Sequence, residues 1–81
     1  KKFLYSHLEK LKLSYIPTQA NFILIKIGKK APDVEKRLLE KGIIVRGMEA
    51  YNLNEYIRLT IGTRQQNEEF VRALGKALSS I

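Results

Sequence analysis

Few side chains in this sequence have a type and spacing that supports catalysis. The 81 residues contain a single histidine, His7, and no cysteine, so neither a thiolate nucleophile nor a metal site built on sulfur and imidazole is predicted. The serines and threonines lack the G-x-S-x-G motif of an activated hydroxyl, and no pair of carboxylates stands apart from helix surfaces or a loop. His7 lies among charged residues on a helix-like stretch, which is typical of a structural histidine. We therefore expect no catalytic residue and no metal site in this chain.

Two arginines occupy positions that favour the binding of an anion. Arg58 lies in the middle of the strand-like residues 56–61, on the side opposite the aliphatic row that contains Ile57 and Leu59. It needs an anionic partner or contact with water, because a buried charge without a partner is costly, and its planar fork matches a carboxylate. Arg46 ends a shorter strand-like stretch, just before an irregular connection. The alternatives are a solvent-facing Arg58 on an edge strand, a salt bridge of Arg58 within the domain, and an Arg46 that is an ordinary surface residue.

The formal charge of +7 raises the question of nucleic-acid binding. Residues 1–41 carry ten Lys or Arg and four acidic residues, a balance of +6, whereas residues 42–81 carry five and four, a balance of +1. The lysines of the first part are dispersed among apolar and acidic positions, which is typical of solvated helix faces. We predict no nucleic-acid partner, and a free-standing basic binding module is the alternative.

The sequence gives no sign of a membrane segment or a signal peptide. The longest apolar run, residues 22–25, is much shorter than the roughly 20 residues that span a bilayer. Lys1 and Lys2 lead into an amphipathic stretch and not into an apolar one. With the absence of cysteine, this predicts a cytoplasmic location and no membrane partner. The first residue is not methionine, and we expect a fragment of a longer protein.

Helix-like and strand-like segments alternate with short connections, which predicts an α+β domain. The predicted order is α-(β)-β-α-β-β-α in one domain over residues 1–81, with a small antiparallel or mixed sheet of three or four strands packed against helices. The nearly all-apolar strand is expected to be central and covered on both faces. The expected bounds are a helix over 1–12, a short strand within 14–16, strands over 21–27, 43–46 and 56–61, and an irregular connection over 47–55.

The other two helices have recognisable ends. Pro32 is expected at the first position of the middle helix, and Gly42 is expected to end it in the left-handed conformation. The inward stripe of this helix is predicted to consist of Val34, Leu38 and Leu39. Thr63 and Gln66 match a capping box that begins the last helix.

An ordered series of short motifs resembles a known enzyme family. The series consists of N-F-I-L at residues 21–24, L-E-K-G-I-I-V-R at 39–46 and Y-I-R-L-T-I-G-T at 56–63, followed by Asn67, Phe70 and the pair Ala73-Leu74. It resembles the C-terminal small domain of the fold-type I, class II aminotransferases, and most closely that of the histidinol-phosphate aminotransferases. The likeness covers about residues 16–78.

The resemblance implies a role for each arginine. In this family the arginine of the I-R-L-T-I-G-T segment, here Arg58, binds the α-carboxylate of the amino-acid substrate. The arginine of G-I-I-V-R, here Arg46, is similar to the one that helps to bind the substrate phosphate. The implied enzyme is a homodimer that uses pyridoxal 5'-phosphate to transfer an amino group between histidinol phosphate and 2-oxoglutarate in histidine biosynthesis. A threonine-phosphate decarboxylase or an aromatic aminotransferase with the same small domain is the alternative.

The resemblance also implies that the cofactor-binding residues lie outside this chain. The family's Schiff-base lysine belongs to a large domain upstream of this segment, and Lys26, Lys29, Lys30 and Lys41 do not lie in a matching motif. We therefore expect this chain to contact its own large domain in the full-length enzyme. By itself it is expected neither to bind pyridoxal phosphate stably nor to transaminate.

Overall fold

The structure is a computed structural model that describes residues 2–17 and 21–79. Within these residues the chain forms three α-helices and four strands, which confirms the predicted α+β class and the order of elements. The bounds are α1 Lys2–Lys10, β1 Tyr15–Ile16, β2 Phe22–Lys26, α2 Ala31–Glu40, β3 Val45–Met48, β4 Leu53–Thr60 and α3 Arg64–Ser79, with a 3₁₀ turn at Glu49–Tyr51.

The four strands form one antiparallel sheet in the order β1-β2-β4-β3. β2 and β4 are therefore interior strands, and β1 and β3 are its edges. The three helices contribute to a single core with one face of the sheet. From the helices come Leu4, Leu8, Ala31, Val34, Leu38, Phe70, Leu74 and Ala77, and from the sheet Ile23, Ile25, Val45, Ile57 and Leu59. The domain thus has two layers, and we call the sheet face turned away from the helices the outer face.

The two-layer arrangement corrects the expectation that β2 is covered on both faces. Ile23 and Ile25 are fully buried against the helices. Phe22 and Leu24, which alternate with them, are only half-buried and do not belong to the core. A run of apolar residues indicates burial on both faces of a strand, but here all the helices lie on one side. The outer face of β2 therefore remains open.

Helix α2 agrees with its predicted ends but not with its predicted stripe. Pro32 lies in its first turn, one position later than expected, and Gly42 follows it with φ +79°. The buried residues are Ala31, Val34 and Leu38, whereas Leu39 is 48% exposed. Successive residues of a helix are about 100° apart, so Leu38 and its neighbour cannot both point at a narrow core. The assignment of Leu39 to the inward stripe was wrong.

The segment expected to be an irregular connection over 47–55 is mostly ordered. β3 continues to Met48 with a bulge between Gly47 and Met48, and β4 already begins at Leu53. Asn52 links the 3₁₀ turn to β4 with φ +60°, a conformation that asparagine tolerates. Conversely, Ile44 lies outside β3 and is 83% exposed. The strand prediction failed here because L-N-E has no alternating pattern and little β-propensity.

The start of α3 matches its predicted capping box. The Gln66 N–H donates to Thr63 Oγ1 at 3.2 Å, and the Thr63 N–H donates to Gln66 Oε1 at 2.9 Å. Asn67 is buried behind this cap. Its Oδ1 accepts the Gly62 N–H at 3.1 Å, and its Nδ2 donates to the Gly62 carbonyl at 3.4 Å. The end of β4 and the start of α3 are thereby fixed to each other.

Candidate anion-binding face

The register of the sheet brings the two predicted arginines side by side. Leu24 of β2 is opposite Arg58 of β4, and Arg58 is opposite Arg46 of β3. Directly opposed residues in antiparallel strands point to the same face, with Cβ atoms about 4.5–5.5 Å apart. Because Ile57 and Leu59 point into the core, this row lies on the outer face. The sequence placed the arginines on different elements, and the fold makes them neighbours.

Arg58 lies on an interior strand and is half-buried. Its guanidinium carbon lies 4.6 Å from the centroid of the Phe22 ring, which comes from the adjacent strand. Among the residues that the structure describes, the salt bridge found is Arg64–Glu68, on the exposed surface of α3. Within this part of the chain, neither an edge-strand location nor a salt bridge therefore accounts for Arg58. Its guanidinium packs on an aromatic ring, and no carboxylate of residues 2–17 and 21–79 pairs with it.

Arg46 is exposed on the edge strand β3, directly across from Arg58. Like charges opposite each other destabilise a sheet by up to about 1 kcal/mol. By strand alternation, the outer-face residues of β2 and β4 include a further cation, Lys26, and no carboxylate. The positive charge of this row is suited to binding an anion with more than one charged oxygen.

Three side chains that the sequence did not single out as site residues lie on the outer face or contact its edge. Phe22 and Lys26 are displayed by the alternation of β2, and that alternation could have revealed them. Glu35 of α2 contacts the backbone next to Arg46, since its Oε2 accepts the Gly47 N–H at 3.0 Å. No pattern in the sequence links Glu35 to β3, because the contact depends on how the helix packs on the sheet edge.

The remaining chemistry-bearing residues lie elsewhere. His7 is on α1, where its Nδ1 is 3.0 Å from the Phe3 carbonyl oxygen and its ring is 4.2 Å from the Phe3 ring. Near it, the Tyr15 hydroxyl donates to Glu9 at 2.9 Å, and this hydrogen bond raises the pKa of Tyr15. Within residues 2–17 and 21–79 no cluster of His, Asp or Glu is arranged to hold a metal ion. These contacts involve neither Arg46 nor Arg58.

The lysines of this chain do not fit the covalent attachment of pyridoxal phosphate. Every lysine in the described part of the chain is exposed, whereas a lysine that forms a Schiff base needs a shielded site that lowers its pKa.

Comparison with known proteins identifies the family. The family profile for aminotransferase class I and II matches residues 1–74. This chain belongs to that family, whose enzymes are generally dependent on pyridoxal phosphate.

The names of individual relatives are more specific than that of the family. The chain is 47% identical over 79 residues to a histidinol-phosphate aminotransferase from Moorella thermoacetica, which covers 98% of this chain and 20% of the relative. It is 41% identical over 78 residues to one from Symbiobacterium thermophilum, with 96% and 22% covered. A structure from Burkholderia pseudomallei K96243, assigned as an aminotransferase, superposes with a TM-score of 0.84 at 25% identity, covering 95% of this chain and 24% of that one. The chain therefore spans about a fifth of the length of the relatives it matches.

In the described residues, no helix combines the length and the apolar character that crossing a membrane requires.

Proposed function

We propose that this chain is the substrate-gripping small domain of a pyridoxal-phosphate-dependent aminotransferase that exchanges an amino group between histidinol phosphate and 2-oxoglutarate. The observation that carries the proposal is the opposed Arg46–Arg58 pair on a face with no balancing carboxylate on β2 or β4. The relatives named above support the choice of substrate.

In this proposal Arg58 binds the substrate carboxylate. Its planar guanidinium donates two parallel N–H groups to the two carboxylate oxygens, a geometry that lysine cannot reproduce. The Phe22 ring, 4.6 Å away, holds the guanidinium on the sheet. The half-buried apolar surface of Phe22 and Leu24 limits the access of water on one side, and partial exclusion of water strengthens a charged hydrogen bond.

Arg46 binds the substrate phosphate. Because Arg46 is more exposed than Arg58, its side chain can move to reach a longer substrate group while its backbone stays paired in β3. The Arg46 cation stabilises a bound phosphate dianion but gives little to a neutral substrate side chain. Arg46 therefore favours phosphorylated substrates. The two arginines thus serve the two anionic groups of the reaction's substrates from adjacent positions.

The rest of the reaction belongs to the full-length protein. There, pyridoxal phosphate supplies the electron sink for amino transfer and is bound by the large domain. The outer face of this chain contacts that domain and closes over the substrate when the two approach. The enzyme is a cytoplasmic homodimer in this proposal.

The test is Arg46→Ala in the full-length protein, with the exposed Arg72→Ala on α3 as a matched control. A lost charged hydrogen bond of about 1.5–3 kcal/mol should raise KM for histidinol phosphate roughly 10- to 100-fold. KM for a non-phosphorylated amino acid donor should change far less. Equal losses for both donors would contradict the phosphate assignment. Release of carbon dioxide from a phosphorylated amino acid would instead identify the decarboxylase.

A further inference from the structure

The hydrogen bond between Glu35 and Gly47 joins the helix layer to the edge of the sheet beside Arg46. The Gly47 N–H donates to Glu35 Oε2 at 3.0 Å in a partly buried position. Gly47 directly follows Arg46, and the β-bulge of β3 lies between Gly47 and Met48. A carboxylate acceptor makes this bond stronger than one between neutral groups.

Gly47 and the Glu35 carboxylate are also in close steric contact. A Cβ atom built on Gly47 would lie 2.7 Å from Glu35 Oε1, so any larger residue must displace the carboxylate. Gly47 does not have a positive φ, and left-handed backbone geometry therefore does not explain the glycine. The contact that a side chain at this position would disturb is the one with the flexible end of Glu35.

We infer that Glu35 is a positioning residue for Arg46. The inference rests on the proposed function, in which Arg46 binds the substrate phosphate. Of the described strands, β3 pairs with β4 alone, and this pairing shifts at the bulge. The repulsion between Arg46 and Arg58 acts across the same pair of strands. A shift of one residue in register would turn Arg46 from the outer face to the inner one. Glu35 fixes the backbone immediately after Arg46, between the arginine and the bulge.

The experiment compares three variants of the full-length protein. Glu35→Ala removes the acceptor, Gly47→Ala displaces the carboxylate but keeps its charge, and Glu35→Gln keeps a carbonyl acceptor of the same length. Glu40→Ala, an exposed residue of the same helix, is the control. We expect Glu35→Ala and Gly47→Ala to raise KM for histidinol phosphate about fivefold or more, within the usual range of coupling between neighbouring residues. KM for 2-oxoglutarate should stay within about twofold, and Glu35→Gln should resemble wild type.

A double-mutant cycle separates positioning from general stabilisation. In the Arg46→Ala background, adding Gly47→Ala or Glu35→Ala should cause no further rise in KM for histidinol phosphate, because the group they position is gone. A further rise of the same size, or equal losses for both substrates in the single variants, would overturn the inference. If Glu35→Ala does not fold, Gly47→Ala and Glu35→Gln decide the question.

The same experiments distinguish a failure of the proposed function from a failure of this inference. If Arg46→Ala alone shows no selective loss for the phosphorylated donor, the phosphate assignment is wrong and the positioning role is wrong with it. If Arg46→Ala is selective but the Glu35 and Gly47 variants are not, the assignment of Arg46 stands and only the positioning role is overturned.

Discussion

At the scale of single residues, the environment of Arg58 explains how a half-buried charge is kept on an interior strand when no described carboxylate pairs with it. The guanidinium packs on the Phe22 ring at 4.6 Å, and its strand neighbours Ile57 and Leu59 point away into the core. A guanidinium on an aromatic face keeps the N–H groups at its edge available for hydrogen bonds. The ring therefore orients Arg58 without consuming its capacity to bind a carboxylate.

The role of Phe22 leads to a prediction. In the full-length protein, Phe22→Leu removes the ring and should raise KM for 2-oxoglutarate about 2- to 5-fold, which corresponds to the roughly 0.5–1 kcal/mol of an exposed cation–π contact. Phe22→Tyr keeps the ring and should stay close to wild type. Steady-state kinetics of the two variants provide the check. Equal losses in both would contradict a role for the ring face.

At the scale of elements, the connection between β4 and α3 determines where the strand that carries Arg58 ends. The capping box of Thr63 and Gln66 begins the helix, and Asn67 holds both backbone groups of Gly62. Since β4 is an interior strand, fixing its end also fixes the register of Arg58 relative to its neighbours.

Asn67 is accordingly expected to be important for stability. Asn67→Ala leaves the Gly62 N–H without its acceptor and should lower the free energy of unfolding by about 1–3 kcal/mol. The control Gln65→Ala, exposed on the same helix turn, should change it by no more than about 0.5 kcal/mol. Urea denaturation followed by circular dichroism measures both. Similar values for the two variants would contradict the structural role of Asn67.

The sequence predicted the helices and strands better than it predicted how they pack and pair with one another. Local signals, such as the alternation around Arg58 and the capping box at Thr63, correctly predicted strand β4 and the start of α3. The open outer face could not be predicted, because the apolar run of β2 does not reveal on which side the helices pack. The opposition of Arg46 to Arg58 was also beyond reach, since register between strands depends on the bulge and on tertiary contacts. Glu35 was missed for the same reason.

At the scale of the whole molecule, the two faces of the sheet have different roles. The helices and the inner face of the sheet supply the core, and the outer face is left to bind ligand and to contact the large domain in our proposal. In the described part of the chain every lysine is on the surface. The positive charge of +7 is therefore a surface property, and the binding we propose depends on the few cations of the outer face.

This division predicts the behaviour of the isolated chain. The 81-residue chain mixed with pyridoxal phosphate should not acquire a lysine–cofactor absorbance band that survives dialysis, because no described lysine is shielded. The full-length protein should retain the band under the same conditions. A stable band on the isolated chain would mean that a lysine of this domain binds the cofactor, and the separation of roles between the two domains would be wrong.

The central claim, that Arg58 anchors a substrate carboxylate, is tested most directly by KM for 2-oxoglutarate in the full-length Arg58→Ala variant. The matched control is Arg64→Ala, which removes an exposed arginine that, like Arg58, lies over a phenylalanine ring (Phe3, at 4.2 Å) but is paired with Glu68 on α3. Loss of a charged hydrogen-bonding pair of about 1.5–3 kcal/mol predicts a rise in KM of roughly 10- to 100-fold for Arg58→Ala, and little change for Arg64→Ala. A KM for Arg58→Ala within about twofold of the control, with the protein folded, would contradict the account.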